Sequence, residues 1–196
     1  MKKLTLAACL ALLLVGAVVA VAPARNGNGN GNGKKSITAG LEGFQEVPSI
    51  STKAEGEIKV KVNGSSIKYE LRYRDFDSPV LFAHIHFGQE GVNGGVAAFL
   101  CGGGDKPACP QGSGTVTGTI DADDVQAIAA QGLEAKDIGA LIRAIKAGYT
   151  YANVHSQDFG SGEIRGQIGD DDDDHHHGGR GKHKGDHGGN HDEDDD

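Results

Sequence analysis

The chain has 196 residues and a formal net charge of −8 at pH 7. Eleven acids and three bases lie beyond Gly169, so the tail accounts for that whole charge and everything before it balances at zero. Such a distribution weighs against nucleic acid and anionic lipid, which need basic patches, and residues 36–169 have the composition of one domain large enough to bury its own core.

The first residues, Met1-Lys2-Lys3, are followed by an apolar run from Leu4 to Val21 and by Ala22-Pro23-Ala24 before Arg25. This is a positive n-region, a hydrophobic h-region and a small-x-small cleavage site, so residues 1–24 read as a secretory signal peptide. The mature protein is then expected outside the cytoplasm, secreted, periplasmic or at the cell surface, with no membrane insertion after cleavage. A retained anchor needs about 20 apolar residues, slightly more than this run offers. Cys9 lies too early for a lipid-attachment box, because an h-region usually has about seven to fifteen residues. Residues 25–35 hold the Asn-Gly alternation from Asn26 to Gly33 and then Lys34-Lys35, a linker without an apolar side chain to bury.

From Ser36 to Gly118 the pattern is one of strands and turns. Polar and apolar residues alternate along Glu57 to Val62 and again along Ser66 to Arg74, with Asn63-Gly64 between them, which predicts a hairpin turning on Asn-Gly. Its buried face should carry Ile58, Val60, Val62, Ile67, Tyr69, Leu71 and Tyr73, with charges on the wet face. Val80 to Phe87 is an apolar run that reads as a strand buried on both sides. Strand geometry puts His84 and His86 on one face with Val80 and Phe82, and Ala83, Ile85 and Phe87 on the other. Two imidazoles on one face can chelate a metal ion.

Gly95 to Leu100 is a further apolar strand. Cys101 and Cys109 bracket a glycine-rich loop and are the two cysteines left after signal removal; in an exported protein they read as a disulfide, with a thiolate metal site as the alternative. A strand at Thr115 to Ile120 is followed by two short amphipathic helices. The first has Asp121 as N-cap and Val125, Ile128 and Ala129 at helical spacing before Gly132, and the second has Ile138, Leu141, Ile142 and Ile145 before Gly148. Strand character returns at Tyr149 to His155 and at Gly162 to Gly169, with His155 where a strand meets a polar loop.

Leu41-Glu42-Gly43-Phe44-Gln45-Glu46-Val47-Pro48 with Thr52, Ala54 and Gly56, Ala83-His84-Ile85-His86-Phe87-Gly88 with Gly91, Asn93 and Gly94, Gly148 to His155, and Gly162-Glu163-Ile164-Arg165-Gly166 together resemble the CHRD domain, named after chordin and found in many exported microbial proteins. The resemblance covers nearly all of residues 36–169. It implies a mainly β fold, an immunoglobulin-like or superoxide-dismutase-like antiparallel β-sandwich or barrel, here with the two short helices, and no general activity. His84-Ile85-His86 resembles the His-Val-His copper pair of the copper-zinc dismutases, Val154-His155 a later copper histidine, and Arg165 an anion-guiding arginine. The domain departs from those enzymes in having no fourth histidine to bridge copper and zinc and no His and Asp cluster for zinc.

His84, His86 and His155 are therefore candidate ligands for copper or zinc, since imidazole suits both. The alternative is that the three rings only hydrogen-bond one another and the backbone. Glu163 and Arg165 read as a structural ion pair near the strand end, or as an anion-attracting arginine beside a metal. Residues 170–196 hold His175, His176, His177, His183, His187 and His191 among Asp and Gly without an apolar residue, and read as a disordered tail. It serves either for solubility or as a collector of divalent metal ions. Three function classes follow: a non-catalytic exported binding module for a metal ion or an extracellular protein partner, which we favour; a dismutase-like copper enzyme; and a structural extracellular domain.

Overall fold

The computed structural model describes residues 36–169; the expected signal peptide, the linker and the tail all lie outside the described residues. Three strands open the domain, β1 (Ile37–Glu42), β2 (Glu55–Val62) and β3 (Ile67–Arg74), each antiparallel to the next. Their inward side chains Ile58, Val60, Ile67, Tyr69, Leu71 and Tyr73 are buried as the alternation requires, while Val62, at the strand end, is half-buried. Each fully buried Ile, Val or Leu contributes about 1.5–3 kcal/mol relative to an exposed one. The turn is displaced by one residue from the sequence reading. Asn63 and Ser66 exchange backbone hydrogen bonds of 2.8 and 3.3 Å, so Gly64 and Ser65 form its centre. Gly64 has φ +66°, and the first central position goes to the residue that adopts it without a Cβ clash.

The remaining elements are β4 (Val80–Phe87), β5 (Gly95–Cys101), β6 (Gly114–Ile120), α1 (Ile138–Lys146), β7 (Thr150–Ser156) and β8 (Ile164–Ile168). All eight strands make one antiparallel sheet in the order β5-β4-β7-β8-β1-β2-β3-β6. The sheet curls until its two outer strands come together. The Tyr69 hydroxyl on β3 donates to the Leu100 carbonyl on β5 at 2.8 Å, and the Lys106 ammonium, just past β5, donates to the Thr119 carbonyl on β6 at 3.3 Å. The result is a nearly closed barrel, the second of the two expected architectures. α1 adds Leu141 and Ile145, both fully buried, to the core made by the inward faces of the strands. Cys101 and Cys109 form the disulfide, with their Cα atoms 5.1 Å apart, which removes the thiolate alternative. Closing a loop of this size is worth about 2.5 kcal/mol in the chain-entropy account.

Two expectations are corrected. The first helix is absent: Ala122–Asp124 and Ala129–Gln131 are single 3-10 turns, the former capped by Asp121, whose carboxylate accepts from the Asp123 amide. Between them the chain is used to cover the free edge of β5. The Gln126 amide donates to the Ala97 carbonyl at 2.9 Å, and the Gln131 side chain accepts from the Gly95 amide at 2.8 Å. Satisfying that sheet edge outweighs a weak helical periodicity. The second correction concerns Val80, which does not share the histidine face. A bulge between Val80 and Phe82 reverses the alternation, so Val80 joins Ala83 and Ile85 in the core.

Among the described residues no helix is long and apolar enough to cross a membrane. Because Leu141 is fully buried at the junction of helix and barrel, Leu141→Ala should lower the unfolding free energy by about 2–5 kcal/mol, read as a shifted urea midpoint with an unchanged m value.

Candidate metal centre

The histidines lie on the outer face of the barrel, where polar side chains would be expected to meet water, yet each is buried. His84 and His86 come from β4 and His155 from β7, in a register that sets His86 opposite Tyr151, His84 opposite Asn153 and Phe82 opposite His155. Only 6–7% of each histidine is exposed. Ring centroids are 4.8 Å apart for His84 and His155, 5.4 Å for His84 and His86, and 5.9 Å for His86 and His155. One ligand nitrogen from each ring falls within 4.8 Å of the others. Phe82, stacked on His84 at 5.9 Å, and Phe99, edge-on to it at 4.6 Å, wall one side.

The proton positions follow from the partners. His86 Nδ1 lies 3.0 Å from the Gly94 carbonyl and His155 Nδ1 lies 3.1 Å from the Gly160 carbonyl. A carbonyl only accepts, so both Nδ1 atoms carry the proton and both Nε2 atoms present a lone pair. His155 Nε2 accepts from His84 Nδ1 at 3.0 Å. His86 Nε2 is buried and has no hydrogen-bond partner. This is the arrangement seen where a ligating imidazole is oriented by an N–H bond to a carbonyl behind it.

Burial also fixes the charge. It pushes His84 down to about 3, helped by His155 and His86, and His86 down to about 4, against the stabilising bond to Gly94. His155 is lowered as well, by burial. All three rings are neutral at pH 7, the protonation state that binds metal. Three neutral imidazole nitrogens fit copper or zinc, leaving one position for water or substrate.

A polar layer backs the group. Arg165, 2% exposed, lies with its guanidinium carbon 3.7 Å from the Tyr151 ring centroid, and the other face of Tyr151 stacks on His86 at 4.8 Å with the planes 6° apart. Arg165 donates to Asn93 Oδ1 at 3.2 Å and to the Val92 carbonyl at 3.0 Å, while Asn93 Nδ2 donates to the Val47 carbonyl at 2.9 Å. Glu163 is occupied elsewhere: one carboxylate oxygen accepts from Thr52 at 2.7 Å and the other is buried without a partner. The ion pair expected between Glu163 and Arg165 is not among those formed by the described residues. The two side chains are instead held by different loops.

The CHRD domain family model matches residues 37–168. The chain belongs to the CHRD domain family. No curated protein and no solved structure matches it. The CHRD match begins with the first residue of β1 and ends with the last of β8, so it takes in the whole barrel and all three histidines.

The three histidines singled out in the sequence converge in the structure, but the groups behind them were missed. Tyr151 and Asn153 were within its reach, since residues 151, 153 and 155 share one face of β7. Glu46, Asn93, Gly94 and Gly160 were not, because they reach the site from loops whose path no periodicity records. A groove of about 500 Å³ beside α1, lined by Phe87, Leu133, Leu141 and Tyr149 among others, contains none of the three histidines.

The shifts set a pH dependence for the metal-free protein. Between the ordinary histidine value of 6.5 and the folded values near 3 and 4, the unfolded chain binds more protons, so stability falls as pH falls through that window. Glu46 acts in the opposite sense, because its folded value of about 7 against 4.5 makes the folded chain the better proton binder between them. Two histidines against one glutamate leave a net difference of nearly one proton, a loss on the order of 1 kcal/mol per pH unit on acidification from 6 to 5, with His155 adding to it. Urea unfolding at a series of pH values should show this loss, and His84→Asn should make it shallower.

Proposed function

We propose that this is an exported CHRD-domain binding protein whose barrel holds one copper or zinc ion through His84 Nδ1, His86 Nε2 and His155 Nε2. The observation that carries the proposal is the buried lone pair of His86 Nε2, which has no partner in a pocket of neutral imidazoles. Leaving such an acceptor desolvated costs about 1–3 kcal/mol, and a cation at the centre of the three nitrogens removes that cost. His84 is the one ring whose tautomer must change, since its Nδ1 gives up the proton now donated to His155. When bound, the ion supplies a Lewis-acidic centre or, for copper, a redox one.

Export is supported by the signal-like residues 1–24 and by the Cys101–Cys109 disulfide, a bond that persists in oxidising compartments. The tail, with six histidines and eleven acids, is proposed to collect divalent ions with low specificity. A dismutase-like copper enzyme is the second reading, favoured by the dismutase-like pattern of three histidines with an arginine behind them. Arg165 gives two of its five N–H groups to Asn93 and Val92 and is enclosed, which supports a structural over an anion-guiding part for it. We therefore place the non-catalytic reading first.

The experiment titrates Cu(II) and Zn(II) into the full chain with its six tail histidines replaced by serine, with and without His84→Ala, and assays superoxide removal alongside. One ion should bind per chain and the His84→Ala protein should lose it. At free metal 100-fold above Kd the loaded protein should gain about 2.7 kcal/mol of stability. Equal binding by both proteins would overturn the site, and superoxide removal dependent on His84 would promote the enzyme reading.

A further inference from the structure

Beside the histidines a second buried group is left incomplete. Glu46, in the turn after β1, is 6% exposed and Asn153, on β7, is 3% exposed. Asn153 Nδ2 donates to Glu46 Oε2 at 3.4 Å, while the remaining oxygens of the two groups, Glu46 Oε1 and Asn153 Oδ1, are both buried and both without a hydrogen-bond partner. Both border the space beside Gly162. A side chain on Gly162 would bring its Cβ to 2.8 Å from the first and to 2.6 Å from both the oxygen and the nitrogen of the Asn153 amide, and Gly162, at φ +130°, keeps that space clear.

Two desolvated acceptor oxygens bordering one enclosed space repel unless a proton lies between them. A carboxyl and a carboxamide already joined on one side by N–H to O are completed on the other by O–H to O. A neutral Glu46 supplies that hydrogen and satisfies both orphaned oxygens at once. Its surroundings agree: burial raises Glu46 to about 7, against the pull of Arg165, the bond from Asn153 and the Val47 amide. The charged and titratable groups around the pair are Arg165 on β8, Tyr151 and His155 on β7, and Glu163 just before β8. Arg165 donates to Asn93 and Val92 and Glu163 accepts from Thr52, so neither completes the pair.

The pair also adjoins the candidate metal centre in the sheet. Asn153 stands opposite His84 in the strand register and two residues from His155 on the same face. Arg165 acts on both neighbours, lowering His86 as well as Glu46 by its charge. A divalent ion on three neutral imidazoles beside a buried guanidinium would bring two further positive charges to a region with no carboxylate ligand. Charges this close and this enclosed interact strongly.

We propose that Glu46 is the charge-compensating acid of the three-histidine site, a neutral carboxyl paired with Asn153 when the site is empty and a carboxylate when a divalent ion is bound. The balance is simple. The ion enters, the Glu46 O–H bond breaks, and one proton leaves to solvent, so the buried region gains one positive charge instead of two. This rests on the three-histidine reading and adds to it a proton-coupled affinity that none of the ligands provides, because the histidines are already neutral.

The test is difference infrared spectroscopy on the full-length chain at pH 6, with Co(II) visible absorption on the same samples to report site occupancy. The metal-free protein should show the C=O stretch of a protonated carboxyl, absent from Glu46→Gln, which keeps the shape of the pair without the ionisable group. Adding Zn(II) should abolish that band, and the His84→Ala protein should keep it. A Co(II) spectrum that depends on His84 while the carboxyl band persists would overturn the role of Glu46 and leave the site intact. Absence of the band in the metal-free wild type would overturn it as well, and absence of any His84-dependent Co(II) spectrum would overturn both readings.

Discussion

Two backbone carbonyls decide the chemistry of this protein. Gly94 and Gly160 each accept from the Nδ1 of a buried histidine, and so determine which nitrogen of His86 and of His155 keeps a lone pair. Without those bonds the rings could exchange tautomers and orientations, and the centre would be an indifferent polar cluster. With them, the lone pairs converge from two strands on one small volume, together with the Nδ1 edge of His84. The loops that supply the carbonyls are therefore as much a part of the site as the strands that supply the rings.

The barrel carries this arrangement on its outside. Inward side chains of every strand make the apolar core, so the histidine face had to be buried by other means, and the loops before β2, after β4 and before β8 do so. They are tied together by polar side chains. Asn93 joins the loop after β4 to both Arg165 and the Val47 carbonyl, Thr52 joins the loop before β2 to Glu163, and Tyr151 is held between Arg165 and His86. Burial of this layer neutralises the histidines, and the same burial leaves Glu46 Oε1, Asn153 Oδ1, Glu163 Oε2 and His86 Nε2 short of partners. A region made only for stability would close those valences. Their survival in one buried polar layer is what ties the metal reading to the acid–amide pair.

Much of this was legible in the chain. Period-two alternation gave the β2–β3 hairpin, the spacing of His84 and His86 gave their common face, and the position of His155 at a strand end singled it out before any geometry. What escaped did so for physical reasons. Val80 was assigned to the histidine face because strict alternation cannot register a bulge, and the bulge is set by pairing with β7, more than 70 residues away. The turn through Val125 to Ala129 had helical spacing but was taken by the exposed edge of β5, a demand visible only once the sheet is assembled. Arg165 was matched with its near neighbour Glu163, although in three dimensions its partners come from the loop after β4. Local pattern reads faces well and partners across loops poorly.

The central claim is that three imidazoles, oriented from behind by backbone carbonyls, hold one transition-metal ion. X-ray absorption at the zinc edge addresses it directly, on the full chain with its tail histidines replaced by serine and loaded with one equivalent of Zn(II). We expect a first shell containing three imidazole nitrogens at about 2.0–2.1 Å, with the outer-shell scattering of histidine rings, and loss of that signature in His86→Ala. A shell of oxygen neighbours without imidazole scattering, or a spectrum unchanged by His86→Ala, would contradict the account.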